Sequence, residues 1–118
     1  MIRTMAIFVL VLSLVGPARA QMTGNDLRSM CVSKNPAEDD LCISWSAGFH
    51  SGIRAAQKIA EIVKLPPVTC IPDNVTGSQV RLILEKYMRE NPQELAQGAD
   101  YLAARAFLQS FPCAPRKP

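Results

Sequence analysis

Four cysteines, Cys31, Cys42, Cys70 and Cys113, constrain this 118-residue chain more than any other feature. What they can do depends on where the chain goes, and its first residues address that. Residues 6–15, AIFVLVLSLV, hold one polar side chain, Ser13; Arg3 precedes them and Pro17-Ala18-Arg19-Ala20 comes after. A basic start, a short apolar run and a small-x-small end describe a secretory signal peptide, with cleavage expected after Ala20. A bilayer-spanning helix takes roughly 20 apolar residues, so this run is short for the competing reading, an uncleaved anchor. The expected layout is therefore a signal peptide over 1–20 and one exported domain over 21–118, periplasmic and free of the membrane once cleaved.

In an exported chain of this size, four cysteines read as two disulfides. Zinc sites bring cysteines in close pairs, whereas the nearest two here, Cys31 and Cys42, have ten residues between them. No metal site is expected, and no cofactor. Cross-links also suit the length, because a domain of about 100 residues buries only a modest core.

The domain itself reads as helices. Asn35-Pro36-Ala37-Glu38 offers a capping side chain, a proline in the first turn and a glutamate three residues after the cap; Thr76-Gly77-Ser78-Gln79 offers a reciprocal cap; Asn91-Pro92-Gln93-Glu94 repeats the first arrangement. Each cap leads into residues at helical spacing. After the first come Cys42, Trp45, Phe49, Gly52, Ile53, Ala56, Ile59, Ala60 and Val63; after the second, Val80, Ile83, Leu84, Tyr87 and Met88; after the third, Leu95, Ala99, Leu102, Ala103 and Ala106. A shorter helix over roughly 24–32 carries Leu27 and Met30. Pro66-Pro67 is expected to stop the long helix and Pro112 the last one. The fold class is all-α: a small four-helix domain stapled by two disulfides. Gly48 and Gly52 lie inside the long helix, where each glycine costs about 1 kcal/mol against alanine. They suggest close approach of another backbone, within the chain in preference to a second copy.

Short connections make neighbouring helices antiparallel. Cys31, ending the first helix, then lies near Cys42 at the start of the second. Cys70 precedes and Cys113 succeeds the hairpin of the last two helices, so both sit at its open end. Of three pairings, Cys31–Cys42 and Cys70–Cys113 are expected. On the chain-entropy account they contribute up to about 3 and about 4 kcal/mol.

Catalytic groups are sparse. The only histidine, His50, lies beside Ser51 and near Ser46 on one helix, and adjacent helical residues point apart. Glu38-Asp39-Asp40 suits the positive end of a helix dipole. There is no phosphate loop and no dinucleotide fingerprint. Without Arg3 and Arg19, eleven of the thirteen basic residues remain against ten acidic ones, a balance with no nucleic-acid footprint. These features point to a binding protein, not an enzyme.

The order of several short motifs resembles the Rap/Tai family of periplasmic immunity proteins associated with type VI secretion. They are Gly24-Asn25-Asp26-Leu27, Cys31, Cys42-x-x-Trp45-x-x-Gly48, Cys70-Ile71-Pro72, Val75-Thr76-Gly77-x-Gln79, Tyr87, Asn91-Pro92 and Phe111-Pro112-Cys113. Trp45 stands where the family more usually has tyrosine, and the stretch 93–99 is less typical of it. The resemblance implies an all-helical fold and a cell-wall amidase effector as partner, neutralised by occlusion of its active-site cleft, with some members acting as homodimers. It also leaves a second class in view, a small acid-stress chaperone that exposes apolar surface on acidification; a hydrolase or dehydratase ranks last because His50 stands alone. The element expected to fill a cleft is the proline-rich loop 65–75, with Leu65, Asp73 and Asn74 as partner contacts. That choice rests on loop length and prolines, not on the family.

Overall fold

A computed structural model describes residues 21–114. The expected signal segment, residues 1–20, lies outside them. Four α-helices and one 3-10 turn make up the described chain: α1 (Gly24–Val32), α2 (Pro36–Ile62), α3 (Gly77–Glu90), the turn Pro92–Glu94, and α4 (Ala99–Ser110). No strand is formed among the described residues, only an isolated bridge between Thr23 and Gly98.

Two of the expected caps form as the sequence dictates. Asn35 Oδ1 accepts from the Ala37 amide at 3.0 Å, with Pro36 in the first position of α2. Thr76 and Gln79 exchange the reciprocal pair of bonds at the start of α3, at 3.2 and 2.8 Å. Thr23 and Asp26 build the same box on α1.

The third signal misleads. Asn91 makes no side-chain cap for the 3-10 turn that begins at Pro92; its amide Nδ2 donates back to Tyr87 O at 2.9 Å, closing α3. The single helix expected from Asn91 is instead the short 3-10 turn, a break, and α4. The physical reason is a competition for carbonyls. Gly24 N donates to Gln97 O at 2.8 Å and Asn25 N to Leu95 O at 2.9 Å. The first-turn amides of α1, which have no partner within their own helix, take the oxygens that a continuous helix would use. A Cβ on Gly24 would overlap Leu102 Cδ1 and sit 3.0 Å from Leu95 O. The close backbone approach in this molecule is therefore at Gly24.

At Gly48 and Gly52 the expectation of intrachain packing fails: a Cβ at either would meet nothing within 4 Å. Both lie on the side of α2 turned away from the core. α2 also stops earlier than its prolines require. It ends at Ile62 through Lys64 in the left-handed region (φ 60), with Leu65 N donating to Ala60 O at 2.9 Å and Lys64 N to Glu61 O at 3.3 Å. That is a Schellman closure with lysine where glycine is usual.

The core gathers Leu27 from α1, Val80, Leu84, Tyr87 and Met88 from α3, and Leu102, Ala103, Ala106 and Phe107 from α4. α2 joins it over only part of its length. Cys42, Ser46 and His50 are buried, and Trp45, Phe49 and Ile53 pack against the rest. Phe107 is the hub of the aromatic contacts, with ring centroids 5.5 Å from Phe49 and 5.7 Å from Phe111. Beyond Ile53 the apolar stripe read from the sequence runs past the core, leaving Ile59 and Val63 exposed.

Both expected disulfides form, with Cα–Cα distances of 5.1 Å for Cys31–Cys42 and 4.9 Å for Cys70–Cys113. Near the first, Arg81 of α3 donates to Cys31 O at 3.0 Å and pairs with Asp39 at 2.6 Å and Glu85 at 2.8 Å. Asp39 thus ties α2 to α3 as well as facing a helix dipole.

Candidate functional site

The segment between α2 and α3 is held at several points along its length. Gln57, one turn beyond Ile53 on the core-facing side of α2, supplies Oε1 to Thr69 Oγ1 at 3.2 Å and to Ile71 N at 3.0 Å. Cys70 N donates to Phe111 O at 3.0 Å, and its sulfur is bonded to Cys113. Thr69 and Ile71 are buried. At the far end Arg54 donates to Asp73 O at 3.1 Å and forms an ion pair with the Asp73 carboxylate. The chain thus alternates between anchored residues and residues that project.

Ahead of Thr69, from Leu65 to Val68, those that project are apolar. Leu65 is 63% exposed and Val68 78%. With Ala56 of α2, Val63 just past its end, and Pro66 they border a shallow groove of about 260 Å³ between the helix end and the loop. In water such a rim is a liability; on a partner it is a place to bury area at about 25 cal/mol per Å².

The three residues proposed from the sequence do not form one cluster. Leu65 borders the groove at the end of α2, while Asp73 and Asn74 stand at the other end of the loop, both exposed. Asp73 is already engaged by Arg54, so its first role is to hold the loop. The sequence reading missed Val68 at the tip, and Gln57 and Arg54 beneath it. A signal for Gln57 was present: it continues the spacing of Cys42, Ser46, His50 and Ile53, and a polar side chain on a core-facing stripe implies a backbone partner.

His50 is buried against Phe107, with ring centroids 6.3 Å apart, and its Nε2 has no hydrogen-bond partner. Burial, and secondarily the charge of Arg54, lower its pKa from the usual 6.5. Ser46 Oγ donates to Cys42 O at 2.7 Å, its own helix backbone. Neither arrangement sets up a nucleophile with its base. Cys31, Cys42 and Glu85 lie close enough to suggest a metal cluster, but the two sulfurs are bonded to each other and Glu85 is paired with Arg81. A second polar group knits the other end of the molecule. Tyr87 Oη donates to Glu94 at 2.7 Å and accepts from Arg105 Nε at 3.0 Å. Burial, then the bond to Glu94, raises the Tyr87 pKa above the usual phenol value. This triad fixes the 3-10 turn against α3 and α4.

The geometry is that of a rigid scaffold presenting a braced apolar loop. A family model described as Rap1a immunity proteins matches residues 23–113, from the cap of α1 to the last cysteine. No curated protein and no solved structure matches the chain. A match of that extent covers all four helices, both disulfides and the loop: the chain belongs to the family of Rap1a immunity proteins.

Proposed function

We propose that this protein is a periplasmic immunity protein that neutralises a peptidoglycan amidase delivered by type VI secretion. It does so by seating the loop 65–75 in the enzyme's active-site cleft. The observation that carries this reading is the loop itself: Val68 and Leu65 project, while Gln57 and the Cys70–Cys113 bond fix the residues between and behind them. Occlusion asks no catalytic group of the inhibitor. It asks for a few buried anchors and little ordering on binding, and a cross-linked loop meets the second demand before contact. Family membership supports a protein effector as partner, and the cell-wall amidase is inferred from the motif resemblance.

The test is inhibition of an amidase encoded beside this gene. The purified, oxidised protein should bind that enzyme and block cleavage of peptidoglycan, and Val68→Asp with Leu65→Asp should relieve the block while the helical signal is retained. Tight binding that survives both substitutions would remove the loop from the interface. Export is checked separately: mass spectrometry of periplasmic protein should find a chain beginning at Gln21.

A further inference from the structure

We infer that Cys70–Cys113 is a redox-modification site: in the folded protein a dithiol, free or carried by a protein with a Cys-x-x-Cys motif, opens this bond by attack at Cys70, while Cys31–Cys42 stays closed. The two bonds differ in what covers them. Cys31 is 5% exposed and Cys42 0%, and both belong to the core. Cys31 lies in the last turn of α1 and Cys42 in α2, and Arg81 of α3 is bonded both to Cys31 O and to Asp39 of α2. A thiolate reaches that bond only when these helices part.

Cys70, by contrast, is exposed and Cys113 half-buried, and both stand outside the helices. The loop turns the Cys70 side chain outward. Its neighbours Thr69 and Ile71 are buried, and both are bonded to Gln57; successive side chains of an extended segment point to opposite faces. Exchange needs a sulfur that a thiolate can reach, and exposed disulfides are the labile ones.

The exchange balances as follows. A thiolate of the dithiol attacks Cys70 Sγ, a mixed disulfide forms, and Cys113 leaves as a thiolate that takes up a proton. The second thiol of the reductant, deprotonated, then attacks its own sulfur in the mixed disulfide and releases Cys70. Two electrons and two protons pass to the two cysteines, and the reductant ends as a disulfide. The leaving group has an acceptor beside it: Cys113 Sγ lies 3.6 Å from Pro67 O. The disulfide sulfur has no hydrogen to give, whereas the thiol donates to that carbonyl.

The rest of the fold stands without the bond. Neither sulfur belongs to the core, and Gln57 still holds Thr69 and Ile71. The contact that depends on the cross-link is the bond from Cys70 N to Phe111 O at 3.0 Å. Reduction therefore loosens the loop against the end of α4 and spares the helices. If the loop fills the effector's cleft, reduction weakens the inhibitor and reoxidation restores it; that consequence alone rests on the proposed function.

The test treats the oxidised protein with dithiothreitol under native conditions, blocks free thiols at intervals by alkylation and maps them by peptide mass. Cys70 and Cys113 should be labelled while the helical signal is retained. Cys31 and Cys42 should be labelled at least about a hundredfold more slowly, because reaching them takes global opening. A thioredoxin-type protein whose second motif cysteine is replaced by serine should be trapped on Cys70. In the reduced protein, amide exchange at Cys70 should rise at least about tenfold, while the amides of α3 and α4 keep their protection. Opening of both bonds together, Cys31–Cys42 opening first, no reaction without denaturant, trapping at Cys113, or unchanged exchange at Cys70 would each overturn the proposal. None of these readouts needs an effector. Selective reduction that leaves amidase binding unchanged would sink the loop's role in inhibition and uphold the redox site.

Discussion

Single residues in this protein are constrained for opposite reasons that their chemistry alone does not reveal. Gly24 and Gly48 are both helical glycines. At Gly24 a methyl group overlaps Leu102 and presses on the Leu95 carbonyl, so Gly24→Ala should destabilise the fold by about 1–3 kcal/mol, the usual range for overpacking. At Gly48 the space is open, and Gly48→Ala should stabilise the monomer by up to about 1 kcal/mol. Chemical denaturation at low protein concentration reads both. His50 gives a pH dependence with a definite sign. Its folded pKa lies below the usual 6.5 because burial, and then Arg54, disfavour the charged ring. Above 6.5 the ring is neutral folded or unfolded. As pH falls below 6.5 the unfolded chain takes up the proton first, so stability is lost from there down to the folded pKa. His50→Phe should flatten that part of the stability–pH profile relative to the parent.

At the scale of elements, the ends of helices carry most of the surprises. The end of α2 places Lys64 in the left-handed region, where glycine is free of the Cβ penalty. Lys64→Gly should therefore raise stability by about 0.5–1 kcal/mol, read as a higher denaturation midpoint with an unchanged slope. The caps at Asn35 and Thr76 were legible because a side chain two or three residues from an amide is a local matter, settled before the helix meets anything else. The cap read at Asn91 obeyed the same local grammar and failed, because α1 claims the carbonyls of Leu95 and Gln97 from across the molecule.

Across the molecule as a whole, the two disulfides divide the labour. Cys31–Cys42 fastens α1 to the start of α2, far from the loop in sequence; Cys70–Cys113 closes a segment of 43 residues and holds the loop against the end of α4. Replacing Cys70 and Cys113 with alanine should cost up to about 4 kcal/mol of stability on the entropy account. Under conditions where the variant stays helical, it should release the effector faster, because a freed loop must be ordered on binding. Replacing Cys31 and Cys42 should cost up to about 3 kcal/mol and leave affinity nearly unchanged. Equal effects on affinity from both pairs would detach the loop from the proposed function.

The helical class, three of the four helices and both cross-links were legible in the order of residues alone. Helical spacing and side-chain caps are short-range, and short connections between the first two helices and between the last two leave the cysteines few ways to meet. The prolines marked the 65–75 segment in the same local way. That α2 outruns the core was not legible. The apolar spacing of Ile59 and Val63 continues that of Phe49 and Ile53, and a periodic stripe carries no mark of where its partner helices end. Nor was it legible which glycine is needed for contact, since Gly24, Gly48 and Gly52 differ only in the atoms that lie opposite them. Both outcomes rest on long-range packing, because the α1 amides, the Leu95 carbonyl and the Leu102 side chain meet only after the chain has folded back on itself.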